Sequence, residues 1–190
     1  MEKENLTRML VIGGSAGSLE AMLQFLPELK TDIHFAILIV LHRKSDAEST
    51  LSNLLQSRTS LTVREIEDKE AIQTAVVYVA PANYHVLVEK DLSFSLDVSE
   101  KINYSRPSID VSLASVADAY GVAAAALLLS GANNDGTEGL KRIKESGGRV
   151  LIQLPSSAGV SYMPQQALNE ISPDALLSTH EIAAYINSLA

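Results

Sequence analysis

The chain has 190 residues, of which 46% are hydrophobic and only 5% aromatic, a composition that suits one α/β domain with a substantial core. A formal net charge of −8 argues against non-specific binding to nucleic acid, and the absence of cysteine excludes disulfides, thiolate catalysis and cysteine-ligated metals. The four histidines are scattered, and neither a signal peptide nor a stretch of about 20 apolar residues is present. We therefore expect a cytoplasmic protein with no cofactor, metal or membrane insertion.

The first predicted strand, Met9 to Ile12, runs directly into a glycine-rich turn. An unbroken apolar run is typical of a strand that is buried on both faces of a parallel sheet. Gly13 and Gly17 frame Ser15 as G-x-S-x-G, a pattern that presents a serine nucleophile on a sharp turn between strand and helix. The backbone N–H of Ala16, or another at the start of the following helix, would bind an oxyanion.

A strand, a glycine-rich turn and a helix also describe the phosphate-binding loop of a dinucleotide fold. The full G-x-G-x-x-G pattern is absent, because Ser15 stands where its second glycine belongs. At the end of the second strand, where such folds hold the ribose with an acidic residue, this chain has His42. Both departures favour a serine nucleophile over nucleotide binding.

The rest of the chain alternates predicted helices and strands. Helical spacing of apolar residues follows the Ser15 turn, and Phe35 to Leu41 is a second buried strand. Later elements are a helix at 51–55, an edge strand at 61–66, a strand at 76–80, an antiparallel hairpin at 86–96, a helix that begins at the N-cap Ser108 and ends at Gly121, a strand at 122–129, a helix through Ile143, a strand at 150–152, a short helix at 164–169, and a last helix after the Ser178–Glu181 capping box.

This order of elements predicts a single domain over residues 1–190. The fold class is α/β, a three-layer α/β/α sandwich around a mostly parallel, doubly wound sheet, with an antiparallel hairpin at one side. In a parallel sheet, the loops that leave the strands share one edge, and ligand sites lie there.

Ser15, His42 and Asp135 each follow the carboxyl end of a long apolar strand, so we expect all three at that edge. A hydroxyl, an imidazole and a carboxylate there can form a catalytic triad. Ser15 would attack a carbonyl group, and His42 would take its proton and return it to the leaving group. Asp135 would hold the imidazole tautomer and stabilise the imidazolium.

Further residues are expected around the triad. Asn134 directly precedes Asp135 in the turn, and His85, at the start of the hairpin, is a candidate for lining the pocket. Arg43 and Arg106 either flank the pocket and attract an acidic protein surface, or are solvated loop residues. Asp110 falls in the first turn of a helix, where helix capping and the helix dipole are enough to explain it.

Several motifs in this order resemble the catalytic domain of the CheB family of chemotaxis protein-glutamate methylesterases, from Met9 to about Leu189. The corresponding stretches are Val11 to Gly17, Ile39 to His42, Tyr78 to Pro81 with His85, Arg106 to Asp110, Asp135-Gly136 and Tyr162 to Pro164. The resemblance implies that Ser15, His42 and Asp135 are the triad. It implies hydrolysis of glutamyl methyl esters on chemoreceptor helices with release of methanol, and some members also deamidate receptor glutamines.

Three stretches around the predicted pocket differ from the usual family motifs. Ala16-Gly17-Ser18 replaces Thr-Gly-Gly, Leu41-His42-Arg43 replaces Gln-His-Met, and Gly131-Ala132-Asn133 replaces Gly-Met-Gly. Two alternatives therefore stay open: a glutamine deamidase acting on the same proteins, and a non-catalytic chemosensory module that binds receptor or kinase segments.

Chemotaxis members of the family also carry an N-terminal receiver domain that controls access to the site. Only about eight residues precede the first predicted strand here, so we expect no such domain in this chain. Control would then come in trans, with a separate response regulator or kinase as the candidate partner, or by another route, or not at all.

Overall fold

Unbroken apolar runs become the inner strands of a parallel sheet in the computed structural model, which describes residues 6–43 and 50–190. The strands are β1 (Met9–Gly14), β2 (Ala36–Leu41), β3 (Thr62–Glu65), β4 (Val76–Val79), β5 (His85–Val88), β6 (Phe94–Asp97), β7 (Ala124–Leu128), β8 (Arg149–Gln153) and β9 (Ala175–Leu177). The helices are α1 (Ser18–Phe25), α2 (Thr50–Gln56), α3 (Ile109–Tyr120), α4 (Thr137–Glu145), α5 (Tyr162–Glu170) and α6 (Ile182–Ser188).

Seven of these strands pair in the order β3-β4-β2-β1-β7-β8-β9, and every pairing is parallel. One face of the sheet packs against α1, α2 and α6 through buried side chains such as Met22, Leu55 and Ile186. The other face packs against α3, α4 and α5 through side chains such as Leu113 and Ile143. Helices on both faces confirm the predicted three-layer, doubly wound α/β fold.

The crossover direction reverses between β1 and β7. From β1 the chain moves to β2 on one side through α1, and from β7 it moves to β8 on the other side through α4, which lies on the opposite face. The loops that leave β1 and β7 therefore diverge at the carboxyl edge, which is where open α/β sheets bind their ligands.

The predicted hairpin forms a separate two-stranded antiparallel sheet, β5-β6, that packs over α3. The Ser112 hydroxyl donates to the Val86 carbonyl at 2.8 Å, and the Val88 N–H donates to the Ser115 hydroxyl at 2.9 Å. These bonds satisfy backbone groups of β5 and hold that strand of the hairpin beside the first two turns of α3.

Most element boundaries agree with the sequence, including the Ser108 N-cap and the Ser178–Glu181 capping box. The strand predicted at 122–129 begins only at Ala124, because Gly121–Ala123 form a 3₁₀ turn. Strand β9 was not predicted: it has three residues and its central Leu176 is exposed, so it carries no periodic signal.

Within residues 6–43 and 50–190, no helix is long and apolar enough to cross a membrane. In the same ranges, no group of three or more histidine, aspartate or glutamate side chains is arranged to hold a metal ion.

Candidate active site

Ser15 and His42 are the first residues beyond two paired strands. Gly14 of β1 lies opposite Leu41 of β2, and the His42 N–H donates to the Gly14 carbonyl at 3.2 Å. On its other side, the Ser15 N–H donates to the Ser130 carbonyl beyond β7 at 2.9 Å. The backbone of the Ser15 turn is therefore held by both neighbouring strands, at the point where the crossover direction reverses.

Asp135 approaches from the loop that follows β7. His42 Nε2 donates to Asp135 Oδ2 at 2.6 Å, and the carboxylate is fully buried while 10% of the His42 side chain is exposed. A carboxylate only accepts hydrogen bonds, so the Nε2 nitrogen carries the proton of the neutral ring. The nitrogen left to accept a proton is Nδ1, so the two ring nitrogens exchange the roles that they have in the usual triad, where Nδ1 faces the acid and Nε2 is the base.

The start of α3 surrounds the Asp135 carboxylate with donors. Oδ2 also accepts from the Ile109 N–H at 2.7 Å, and Oδ1 accepts from the Ser108 hydroxyl and the Asp110 N–H, both at 3.0 Å. Burial by itself would raise the pKa of Asp135. The hydrogen bonds from His42 and from the α3 backbone outweigh burial and hold this pKa below its ordinary value, so the group stays ionised.

The Asp110 carboxyl group binds the start of a neighbouring helix, while Ser108 caps its own helix. Asp110 Oδ1 accepts from the N–H groups of Gly136 and Gly139, at 2.9 and 2.7 Å, at the start of α4. Burial is the largest cause that raises the pKa of Asp110, to about 7, and the charge of Asp135 and a side-chain hydrogen bond with it add to the effect against the two backbone donors. A second carboxyl group therefore lies behind the His42–Asp135 pair, and with a pKa of about 7 it is partly protonated at neutral pH.

Asn133 closes a ring of hydrogen bonds around the base. Its Oδ1 accepts from the Asp135 N–H at 3.0 Å, and its Nδ2 donates to His42 Nδ1 at 3.2 Å. With the bond from His42 Nε2 to Asp135, each residue of the ring is bonded to the other two. The sequence prediction chose the neighbouring Asn134, which is exposed.

Ser15 and His42 line one pocket of about 290 Å³ on the β2 side of the Ser15 turn. Its other lining residues are Ser18, Leu19, Leu41, Arg43, Thr50, Leu51 and Leu54. In the described part of the chain, the half-buried Ser15 hydroxyl forms no hydrogen bond, and the His42 nitrogen that would accept from it faces Asn133. The three predicted residues thus share one site, with the link between serine and histidine not made at rest.

The two outer glycines of G-x-S-x-G serve different purposes. Gly17 is the N-cap of α1 with φ +80°, a left-handed conformation that favours glycine. Gly13 makes room for another element, because a Cβ atom there would lie 2.6 Å from Cγ2 of Ile109. Close approach of α3 to β1 places the Ile109 N–H against Asp135.

The α1 turn leaves backbone donors facing solvent beside Ser15. Ala16 and Gly17 are both exposed, and neither N–H forms a hydrogen bond within the described residues, as expected at a helix N-terminus. The Ser18 hydroxyl donates to the Ser15 carbonyl at 2.5 Å and the Ser130 hydroxyl donates to the Ala16 carbonyl at 2.6 Å, which holds the turn.

Of the two arginines that were predicted near the pocket, Arg43 lines it and Arg106 does not. Arg43 lines the pocket and donates to Glu65 at 2.8 Å and to the Ala80 carbonyl at 3.2 Å. Arg106 is not among the residues that line the pocket. Its guanidinium donates to the carbonyls of Val98 and Ser99 at 2.9 and 2.8 Å, so it holds the loop before α3 instead.

His85, predicted as a candidate for lining the pocket, is not among the residues that line the pocket of Ser15 and His42, and only 1% of it is exposed. Its Nε2 donates to the Glu100 carbonyl at 2.8 Å, and its Nδ1 accepts from the Ser108 N–H at 3.1 Å. Because the Ser108 hydroxyl donates to Asp135, His85 helps to position Asp135 indirectly, through its hydrogen bond with Ser108. No sequence signal predicts this role, because it depends on how the hairpin packs beside α3.

The switch point of this doubly wound parallel sheet carries a serine on a turn, a histidine and a buried carboxylate. These are the parts of a nucleophilic active site, and they define the class of protein as a hydrolase. Comparison with known proteins gives the family. The CheB methylesterase family profile matches residues 10–186, and the chain belongs to that family.

Similar proteins and a solved structure support the same family. A Leptospira interrogans protein, provisionally named protein-glutamate methylesterase/protein-glutamine glutaminase, is 41% identical over 174 residues, which span 92% of this chain and 90% of that protein. The Thermotoga maritima enzyme of that name is 32% identical over 92% of this chain and 52% of its own length. The crystal structure of the Thermotoga maritima CheB methylesterase catalytic domain matches with TM-score 0.92 and 30% identity, over 97% of this chain and 99% of that one. The predicted resemblance is confirmed.

Proposed function

We propose that this protein removes methyl esters from glutamate side chains of chemoreceptor-type signalling proteins and releases methanol. The observation that carries the proposal is the 2.6 Å bond from His42 to the buried Asp135, directly beside the Ser15 turn. Membership of the CheB methylesterase family supports the same chemistry.

In the first half of the reaction, the Ser15 hydroxyl attacks the ester carbonyl while His42 Nδ1 takes its proton. The bond from Ser15 Oγ to the carbonyl carbon forms, and the carbonyl oxygen becomes an oxyanion. The N–H groups of Ala16 and Gly17, which are exposed at the start of α1, would stabilise it. The bond to the methoxy oxygen then breaks, and methanol leaves with the proton from His42.

In the second half, water repeats the attack on the acyl-enzyme. His42 takes a proton from the water, the bond to Ser15 Oγ breaks, and the proton returns to the serine as the free glutamate leaves. Throughout, Asp135 stays ionised and stabilises the imidazolium, because its donors keep its pKa low.

The pocket suits a protein side chain presented from a larger surface. The aliphatic stem of a glutamyl ester would pack against the leucines that line the pocket, beside the Arg43 guanidinium, which also forms an ion pair with Glu65. A chain of net charge −8 would otherwise repel an acidic receptor segment, so Arg43 is the proposed point of electrostatic contact.

A glutamine deamidase activity is the second candidate function. The same acyl-enzyme forms from a glutamine side chain when ammonia leaves instead of methanol, and the Thermotoga maritima and Methanosarcina barkeri relatives carry both activities in their names. The non-catalytic alternative has no comparable support.

We further propose that residues 1–190 act as one catalytic domain in the cytoplasm, with a response regulator or kinase as a candidate partner. The family profile covers residues 10–186, and one sheet connects both layers of the core, which supports a single unit.

Methanol release from a methylated receptor fragment tests the proposal, with mass spectrometry reading ester and amide loss together. Ser15→Ala should reduce the rate about 10⁴-fold or more, the usual cost of removing a nucleophile. Ser60→Ala, an exposed serine on another loop, should match the wild type. Undiminished methanol release by Ser15→Ala would refute the assignment.

A further inference from the structure

The contact between Asn133 and His42 has a defined direction. Asn133 Oδ1 accepts from the Asp135 backbone N–H, which can only donate, so the Nδ2 end of the amide faces His42. On the ring, Nε2 carries the proton that Asp135 accepts, so Nδ1 presents its lone pair to the Asn133 amide. Donor and acceptor roles agree at every bond of the ring.

The lone pair on Nδ1 is the one that must accept the Ser15 proton in the proposed reaction. At rest it accepts the Asn133 amide at 3.2 Å, while the Ser15 hydroxyl, within the described ranges, has no hydrogen-bond partner. An sp² ring nitrogen has one lone pair in the ring plane, so the amide and the serine hydroxyl compete for it.

We propose that Asn133 is a positioning residue that holds the His42 base in a resting state, with its proton-accepting nitrogen covered, and that this bond must open before Ser15 is activated. The proposal rests on the proposed function, because it assigns Nδ1 as the base. Asn133 thereby fixes the ring orientation and restrains the nucleophile until a substrate occupies the pocket.

Asn133→Ser separates the two bonds of this residue. A serine hydroxyl can still accept the N–H of residue 135, two positions along the chain, but is too short to reach His42. We expect the rate of Ser15 labelling by a fluorophosphonate probe to rise about threefold to tenfold, the factor that corresponds to one ordinary hydrogen bond. In that reaction a bond forms between Ser15 Oγ and phosphorus, fluoride leaves, and His42 takes the serine proton.

Asn133→Asp keeps the acceptor and replaces the donor by a carboxylate. A negative oxygen facing Nδ1 would keep the imidazole protonated, so we expect labelling near neutral pH to fall below that of the wild type. Asn187→Ala is the matched control, since Asn187 also uses both ends of its amide, with the Lys30 N–H and the Glu28 carbonyl, at a place outside the site.

Nitrogen NMR of ¹⁵N-histidine-labelled protein gives a second readout, in which the wild type alone already tests the protonation of Nδ1. We expect His42 to have an unprotonated, hydrogen-bonded Nδ1, with a shift toward a free imine nitrogen in Asn133→Ser. A proton on Nδ1 in the wild type, or an unchanged or lower labelling rate in Asn133→Ser, would overturn the proposal. If the wild type releases no methanol, the proposed function fails, but labelling and NMR still decide the role of Asn133.

Discussion

Asp110 and Asp135 bind each other's helices: the Asp135 carboxyl accepts hydrogen bonds at the N-terminus of α3, and the Asp110 carboxyl accepts them at the N-terminus of α4. Asp135, just before α4, accepts from the first N–H groups of α3, while Asp110, in the first turn of α3, accepts from Gly136 and Gly139 at the start of α4. Each carboxyl thus meets the positive end of a helix dipole. These reciprocal hydrogen bonds hold the N-termini of α3 and α4 beside Asp135, the acid of the proposed triad.

The first prediction concerns the pH dependence of stability. The unfolded chain releases the Asp110 proton near its ordinary pKa of 3.8, whereas the folded chain keeps it up to about pH 7. Between those values the folded state binds more protons, so this group makes stability fall as pH rises. Asp110→Asn keeps the acceptor oxygen and removes the titration. We expect its Tm relative to wild type to increase from pH 5 to pH 8 in thermal melts.

The matched control for that experiment is Asp118→Asn on the exposed face of α3, which should shift Tm by a similar amount at both pH values. Curves of Tm against pH that run parallel for Asp110→Asn and the wild type would contradict the assignment of a raised pKa to Asp110.

The second prediction is that Asp135→Asn lowers kcat about 10⁴-fold, because an amide does not hold the His42 tautomer. One carboxylate oxygen becomes an NH₂ group that faces donors from α3. The free energy of unfolding should therefore also fall, by about 1–3 kcal/mol for the unpaired donors. Steady-state kinetics and urea denaturation measure the two effects, and retention of a tenth of wild-type kcat would argue against Asp135 as the acid.

The third prediction concerns Gly13→Ala, which puts a methyl group 2.6 Å from Ile109 Cγ2. Displacing the start of α3 moves the Ile109 N–H away from Asp135, so we expect kcat to fall on the order of 10²-fold with a smaller change in KM. Adding Ile109→Ala makes room for the new methyl group. The double variant should recover part of kcat relative to Gly13→Ala, and strict additivity of the two losses would show that the contact is irrelevant.

The fourth prediction is that Arg43→Ala raises KM for an acidic receptor fragment several-fold at low ionic strength, with kcat within about twofold of wild type. The difference should shrink as salt is added, because screening weakens the attraction. Arg142→Ala, an exposed arginine paired with Asp118 on the α3–α4 surface, is the control. A KM that does not respond to Arg43→Ala at any salt concentration would return Arg43 to a structural role with Glu65.

The sequence was sufficient to predict where Ser15, His42 and Asp135 meet, because long apolar runs identify inner parallel strands and their loops share one edge. It was not sufficient for the groups that hold Asp135. Ser108 and Asp110 carried visible capping signals, but their contacts with a loop about 25 residues away depend on how α3 lies against α4.

The same limit applies to two residues that were predicted around the pocket. Asn133 and Asn134 are adjacent and chemically identical, and only the backbone of the turn decides which side chain faces His42. His85 directly follows a loop at the carboxyl edge, yet the packing of the hairpin on α3 buries its ring.

The pairing of Gly14 with Leu41 has a consequence for how this scaffold can change. The backbone hydrogen bonds of a central sheet set the spacing of the proposed nucleophile and base, whereas the wall of the proposed substrate pocket comes largely from α2 and the start of α1. Reactivity and recognition thus reside in separate parts of the architecture. Protein engineers could exchange residues along α2 to admit other esters while leaving the hydrolytic machinery untouched.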